Sequence, residues 1–463
     1  MHCHRNSWQS QRRLKPAGVV GWRRSGDDWA LSGGGSRRND GRLAMHLILS
    51  AFGSYGDVLP MVGLGATMRG RGHRVQIIVN PYFKSVIEGA GLEMLPLGTA
   101  DEYRELMLHP DLWHPQRGLK LVMTRGASHY MGEVYALLEK HYTAGDTVLG
   151  AHGLDLASRI FHEKHRAPLA SIHYAPMALM TVHDTSRYMG TPNMAKWPKW
   201  AKRAMFWAAD RWMVDPLIAP TVNELRARQG LPPVARIFTS WNNSPQLVLG
   251  MFPDWFGPMQ PDWPAHTAVV GFPLWDPPAE ATLSAEVEEF LRAGDPPIVF
   301  APGSANMQAT EFFRTAGEVC ERLGRRGLLM TKYPSQLPPG LPACVRSFGF
   351  VPFSELLPRV AALVHHGGIG TCAQGLANAL PQVVMPMAYD QLDNGSRLTR
   401  LGVGAVVPQV KFKTTRVAAV LGELLGSADV RERCQDLASR CDGPASLDAA
   451  SDLLEGLHER RTR

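Results

Sequence analysis

The run Val364-His365-His366-Gly367-Gly368-Ile369-Gly370-Thr371 joins a short apolar strand, 360–364, to a helix expected from Thr371 to Ala379. Glycines at such a junction let the backbone approach a ligand closely, and free N–H groups at a helix start attract anions. His366 at the mouth and the Thr371 hydroxyl add side-chain donors. These residue types describe a cradle for a diphosphate. Farther along, Asp390-Gln391 offers groups able to hold sugar hydroxyls.

A second loop with chemical potential is Gly53-Ser54-Tyr55-Gly56-Asp57, between a strand at 46–52 and a helix expected from Met61 to Arg71. It is not G-x-G-x-x-G, and the following strand, 75–79, ends at Asn80 rather than at an acid for a ribose, so it reads poorly as a dinucleotide site. Asp57 is either a helix cap, a role that suits aspartate, or a group facing a substrate. His162-Glu163-Lys164-His165 has histidines three apart where H-E-x-x-H needs four; it reads as an exposed helix face. Asp-x-Asp occurs nowhere, and no metal site is expected.

The elements that must position these loops alternate. Short apolar stretches at 46–52, 75–79, 147–150 and 169–172, then at 297–301, 327–330, 360–364 and 382–385, are separated by helix-length segments. That is the pattern of parallel, doubly wound sheets. The chain of 463 residues exceeds one ordinary core, and 45% apolar residues suffice for two. A stretch rich in proline and tryptophan, 253–283, reads as the region between them. Expected domains are 45–275, with the linker from about 253, and 284–463. Ligands of such folds lie at the C-terminal ends of the strands.

Charge confines a further class. Residues 1–44 carry nine Lys/Arg against three Asp/Glu, and the remaining 40 cations nearly balance 39 acids. The basic excess is thus a tail without apolar periodicity, which argues against nucleic-acid binding by the body. We expect 1–44 to be a disordered extension, dispensable in a chain beginning at Met45. No apolar run is long enough to span a membrane. Six scattered cysteines without a C-x-x-C pair fit reduced thiols and a cytoplasmic location.

Residues 348–391 resemble the donor-binding signature of family 1 glycosyltransferases, carried here by Phe350, Val351-Pro352, His366, Gly368, Thr371, Asp390 and Gln391. The resemblance implies an α/β GT-B fold, two Rossmann-like domains facing across a cleft, whose last helix packs back on the first domain. It implies that Phe350 stacks on a nucleobase and that the Val351 backbone meets the base edge. His366, Gly370 and Thr371 would hold the diphosphate, with Gly303-Ser304 as a second phosphate loop, and Asp390 and Gln391 the sugar. Gln374 stands where many UDP-sugar enzymes have a ribose-binding glutamate, which fits a deoxyribose donor; a plain surface glutamine explains it as well. Gly56-Asp57-Val58-Leu59-Pro60 resembles the family's Gly-His-x-x-Pro, with Asp57 in the place of the general base. The implied reaction inverts the anomeric carbon and uses no cofactor.

Stretches outside that block, among them Arg236-Ile237-Phe238-Thr239, Ser244-Pro245-Gln246 and Asp262-Trp263-Pro264, resemble the chain-B type of rhamnolipid rhamnosyltransferases. This implies dTDP-L-rhamnose as donor and a 3-(3-hydroxyalkanoyloxy)alkanoate as acceptor. Between 176 and 215, six methionines and four tryptophans are interleaved with Lys196, Lys199, Lys202 and Arg203. Such a segment either meets a flexible apolar acceptor and the inner membrane surface or packs as an ordinary amphipathic helix. Alternatives are a UDP-hexose enzyme acting on a sterol or other hydrophobic acceptor, a GT-B sugar-nucleotide epimerase, and a non-catalytic sugar-nucleotide binding subunit.

Overall fold

The computed structural model describes residues 44–114, 117–277, 282–303 and 309–462; residues 1–43 of the basic tail and Ser304 lie outside them. Two parallel sheets organise the chain. The first contains β1 (His46–Ser50), β2 (Arg74–Val79), β3 (Glu93–Pro96), β4 (Thr147–His152), β5 (Leu169–His173), β6 (Leu247–Gly250) and β7 (Thr267–Val269), in the order β3-β2-β1-β4-β5-β6-β7. The second contains β8 (Ile298–Ala301), β9 (Gly327–Met330), β10 (Val345–Phe348), β11 (Ala362–His365), β12 (Gln382–Val384) and β13 (Gly404–Val406), in the order β10-β9-β8-β11-β12-β13. In each sheet the winding reverses beside the first strand, between β1 and β4 and between β8 and β11. That switch point leaves a crevice at the strand ends. The loops after β1 and β4, and those after β8 and β11, are therefore where a ligand is expected.

Burial explains the strands. Every residue of β1 is buried, with Leu47 and Leu49 in one core layer and Ile48 in the other, because side chains alternate across a sheet. Helix Tyr55–Gly70 covers the first layer with Val58, Met61, Val62, Leu64 and Met68. The same layer receives Leu447, Ala450, Leu454 and Leu457 from the terminal helix Gly443–Thr462, although that helix follows the second sheet in sequence. A fully buried leucine contributes roughly 1.5–3 kcal/mol, so this docking is a large attachment. Arg71 adds ion pairs to Asp448 at 2.7 Å and Asp452 at 2.6 Å, and His73 Nε2 lies 3.0 Å from Glu455.

Several elements depart from the sequence reading. The helix expected from Met61 begins at Tyr55, because Ser54 and Asp57 form a capping box and Pro60 lies inside the helix. The helix expected from Thr371 is Ile369–Ala377, with Gly368 as N-cap. Strand β11 ends one residue later than 364 and takes in His365, which is fully buried, bonded to Gln382 at 2.9 Å and accepting the Gly367 N–H at 3.1 Å. The 253–283 region holds β7, an edge strand too short to register against its prolines. Five cysteines among the described residues are free, and no helix there is long and apolar enough to cross a membrane.

Candidate active site

Asp57 sits in the first turn of helix Tyr55–Gly70, after the loop from β1. Its Oδ2 accepts the Ser54 N–H at 2.8 Å and the Ser54 hydroxyl at 3.3 Å. Gly53, at φ +114°, is required there: a Cβ would lie 2.2 Å from that oxygen. Asp57 Oδ1 instead faces His152 Nε2 at 3.8 Å, and the side chain keeps 35% of its exposure. One carboxylate thus serves as cap through one oxygen and addresses the cleft through the other.

His152 ends β4, across the switch point from β1. Its Nδ1 accepts the Leu154 N–H at 3.2 Å, which assigns the ring proton to Nε2, the atom turned towards Asp57. Phe52 stacks on the ring at 6.2 Å and Tyr174 lies at 5.4 Å; the Tyr174 hydroxyl donates to the Asp57 backbone carbonyl at 2.8 Å. Sequence reasoning missed His152. A lone histidine at a strand end carries no motif, and only the adjacency of β1 and β4 brings it to Asp57.

Across the cleft, His366 is the first residue beyond β11, and two glycines flank its ring. A Cβ on Gly303 would come within 3.0 Å of the imidazole, and one on Gly368 within 2.5 Å of Nε2. Trp113, from the first domain, meets it edge-on at 6.5 Å. The Nδ1 atom is buried without a hydrogen-bond partner. Burial pulls the imidazole down to about 4, opposed by the Ala301 backbone, so near neutrality the ring is an uncharged hydrogen-bonding group.

Gly367, at φ +97°, leaves no room for a side chain beside Val384 and the Gln391 carbonyl. Gly370 differs: a Cβ there would meet no protein atom within 4 Å. No side chain caps the start of helix Ile369–Ala377, where Gly370 and Thr371 lie in the first turn. The N–H groups of that turn are available to an anion.

Asp390 precedes helix Gln391–Leu401. Asn394 Nδ2 donates to its Oδ2 at 2.7 Å and to the Gly367 carbonyl at 3.0 Å, tying the carboxylate to the glycine loop. Desolvation pushes Asp390 up to about 7; the Asn394 hydrogen bond opposes this and the Asp57 charge adds to it. The preceding Tyr389 holds a left-handed φ of 56° and donates its hydroxyl to the Leu112 carbonyl at 2.6 Å. Strained backbone of this kind persists where surrounding contacts enforce it. Gln391 is buried, and its Oε1 already accepts the Met387 and Ala388 N–H groups at 2.7 and 3.1 Å, which leaves only its amide N–H2 for a ligand.

Phe350 is 46% exposed while Val351 is buried, so the ring stands out as a platform anchored by its neighbour. Lys332 Nζ lies 5.3 Å from the Phe350 ring and 4.7 Å from that of Tyr55, a cation between the two domains that the sequence reading did not single out. Gln374 is partly exposed on helix Ile369–Ala377.

Of the 162–165 motif, Lys164 and His165 are exposed as expected, whereas His162 and Glu163 are half-buried and tied into the protein. His162 bonds the Ala167 carbonyl at 2.7 Å, and Glu163 joins Arg226 at 2.6 Å, Arg159 at 2.8 Å and the Trp241 indole at 2.7 Å. Arg226 is buried and draws the acid inward. Among the described residues no group of three or more His, Cys, Asp or Glu is placed to hold a metal ion.

Two family models match in order along the chain. The glycosyltransferase family 28 N-terminal domain covers residues 47–183, and the C-terminal domain of erythromycin biosynthesis protein CIII-like proteins covers 332–454. The chain is 28% identical to O-mycaminosyltylonolide 6-deoxyallosyltransferase of Streptomyces fradiae, over 90% of its own length and 99% of that protein's. Its fold is similar to the crystal structure of the glycotransferase of kitacinnamycin, with a TM-score of 0.70 at 20% identity, covering 90% of this chain and 99% of that one. It is also similar to the spinosyn rhamnosyltransferase complexed with thymidine diphosphate, with a TM-score of 0.58 at 17% identity, covering 88% and 99%. With paired parallel sheets of the GT-B kind, a glycosyltransferase family 28 domain matched on the first and a glycosyltransferase relative along 90% of its length, the chain is a GT-B glycosyltransferase.

Proposed function

We propose that this glycosyltransferase moves L-rhamnose from dTDP-L-rhamnose to the hydroxyl of a 3-(3-hydroxyalkanoyloxy)alkanoate-type lipid, inverting the anomeric carbon and using no metal. The observation that carries the transfer step is the free Oδ1 of Asp57 opposite the glycine cradle, close enough for the Asp57 charge to act on Asp390. As the acceptor oxygen bonds to the anomeric carbon, its proton passes to Asp57. The bond from that carbon to the β-phosphate oxygen breaks, and dTDP leaves. Such a proton transfer contributes roughly 10²–10⁴-fold to a rate. The N–H groups opening helix Ile369–Ala377, with His366 and Thr371, would receive the charge on the leaving diphosphate. Asp390 accepts sugar hydroxyls, and Gln391 can donate to them through its amide N–H2.

A thymidine donor is supported by the relatives' names, which include a dTDP-epi-vancosaminyltransferase of Amycolatopsis orientalis, and by Gln374 in place of a ribose-binding acid. The lipid acceptor rests on the stretches shared with the rhamnolipid subfamily and on the Met/Trp segment. Such an acceptor partitions into membranes and gives the enzyme a peripheral address. A second reading, a deoxysugar placed on a polyketide ring, is favoured by the macrolide-related name of the Streptomyces relative.

Incubation with dTDP-L-rhamnose and hydroxyalkanoyloxyalkanoate, read by mass spectrometry, tests the proposal. A monorhamnosyl lipid is expected, with slow donor hydrolysis when acceptor is omitted. A rhamnosylated macrolide aglycone without any lipid product would move the assignment to the second reading. A new sugar nucleotide without an adduct would indicate an epimerase.

A further inference from the structure

The Met/Trp segment folds into a surface that transfer chemistry does not require. Helix Lys199–Ala209 follows Pro198, widens into a π-helical turn over Asp210–Val214 and continues as helix Asp215–Arg228. Its inward stripe is Lys202, Phe206 and Asp210, spaced by four. Lys202 Nζ donates to the Val182 carbonyl at 3.1 Å, and Asp210 accepts the Thr239 hydroxyl. Asp210 is the single acid between Asp184 and Asp215 in the sequence, and it is turned inward.

The outward stripe is Trp200, Arg203, Trp207 and Arg211, again at helical spacing. Trp200 is 71% exposed, Trp207 48% and Trp212 68%; Lys196 and Lys199 lie beside them. Five residues apart is not a neighbour spacing on an α-helix, but the π turn widens the coil, and Trp207 and Trp212 meet edge-on at 5.3 Å. Large indoles and cations thus share one face, and the acid that would offset them is buried.

We propose that this face docks on an anionic lipid bilayer surface. Indoles settle at the boundary between headgroups and acyl chains, and each neighbouring cation gains from anionic headgroups. Protein–protein interface cores exclude lysine, whereas Lys196 and Lys199 stand among these tryptophans. The segment is also fastened to the donor domain. The Arg187 N–H donates to Asp393 at 2.9 Å, and Asp184 pairs with Arg400 at 2.8 Å and Arg397 at 3.1 Å, all on the helix that Asp390 precedes. Docking would therefore hold the cleft beside the membrane. Only this use of the surface rests on the lipid-acceptor reading; the binding does not.

The test is co-sedimentation of the full chain with phosphatidylcholine vesicles, with and without phosphatidylglycerol, no donor or acceptor being present. Binding to the anionic vesicles is expected, weakened by salt and accompanied by a blue shift of tryptophan emission. W200S/W207S/W212S and, separately, K199E/R203E/R211E should each weaken it by about tenfold or more. Unchanged dTDP binding by both variants would verify their folding. Absence of vesicle binding would overturn the proposal, as would binding unaffected by either variant. A concentration-dependent dimer abolished by the tryptophan variant would overturn it in favour of a second copy. Because no sugar transfer is read, failure of the rhamnosyl-lipid assignment would leave this result standing.

Discussion

At Asp57 the cap and the chemistry share one side chain, and His152 supplies what the free oxygen faces. The Nε2 atom of His152 lies 3.8 Å from Oδ1, on a ring packed between Phe52 and Tyr174. His152→Ala should lower kcat on the order of tenfold or more with little change in donor KM. His152→Gln, which can still present an N–H, should recover part of the loss. Asp390 yields a prediction with a defined sign. Its pKa of about 7 in the folded chain lies above the ordinary carboxylate value, so the unfolded chain loses this proton first as pH rises. The contribution to stability is full in acid and is lost as pH rises through 7. Asp390→Asn should therefore melt higher than the parent near about pH 8, with the difference closing towards about pH 4. Residues of the donor signature were legible in sequence because their offsets lie within one contiguous block. His152 and Lys332 were not, because each reaches the cleft only through tertiary placement.

Among the elements, helix Ile369–Ala377 gives the sharpest test of the cradle. Gly367 and Gly368 are demanded by neighbouring protein atoms, whereas a side chain at Gly370 would point into open space. Gly370→Ala should leave the fold intact and stabilise the helix by up to about 1 kcal/mol. It should also weaken dTDP binding, because the added methyl stands where a phosphate would approach; titration calorimetry beside a melting curve reads both. Strands such as β1 were legible because both their faces are buried and apolar. The edge strand β7 was hidden: it has three residues among prolines, and none of them is fully buried. The start of helix Tyr55–Gly70 was misjudged because the Ser54–Asp57 capping box, rather than hydrophobic spacing, sets that boundary.

For the whole molecule, the join between the sheets holds the two half-sites in register. Arg397 is buried between Asp393 at 2.8 Å, Asp184 at 3.1 Å and the Phe256 carbonyl at 2.9 Å. Arg397→Ala should cost about 3–5 kcal/mol, since it leaves a buried carboxylate without its partner. Chemical denaturation would measure the loss. Leu454→Ala, in the terminal helix, should cost about 2–5 kcal/mol through a cavity in the core of the first sheet, linking the end of the chain to its beginning. The two-sheet organisation was readable from the alternation of apolar stretches, but the cross-domain contacts of Arg397 and Trp113 carry no local signal. The central claim is that Asp57, from the first domain, takes the acceptor proton for a sugar held by the second. The most direct measurement is turnover and dTDP affinity of Asp57→Asn, whose amide oxygen can still accept the Ser54 N–H. Turnover reduced by at least about 10²-fold with dTDP affinity unchanged is the predicted result; turnover close to that of the parent would contradict the claim.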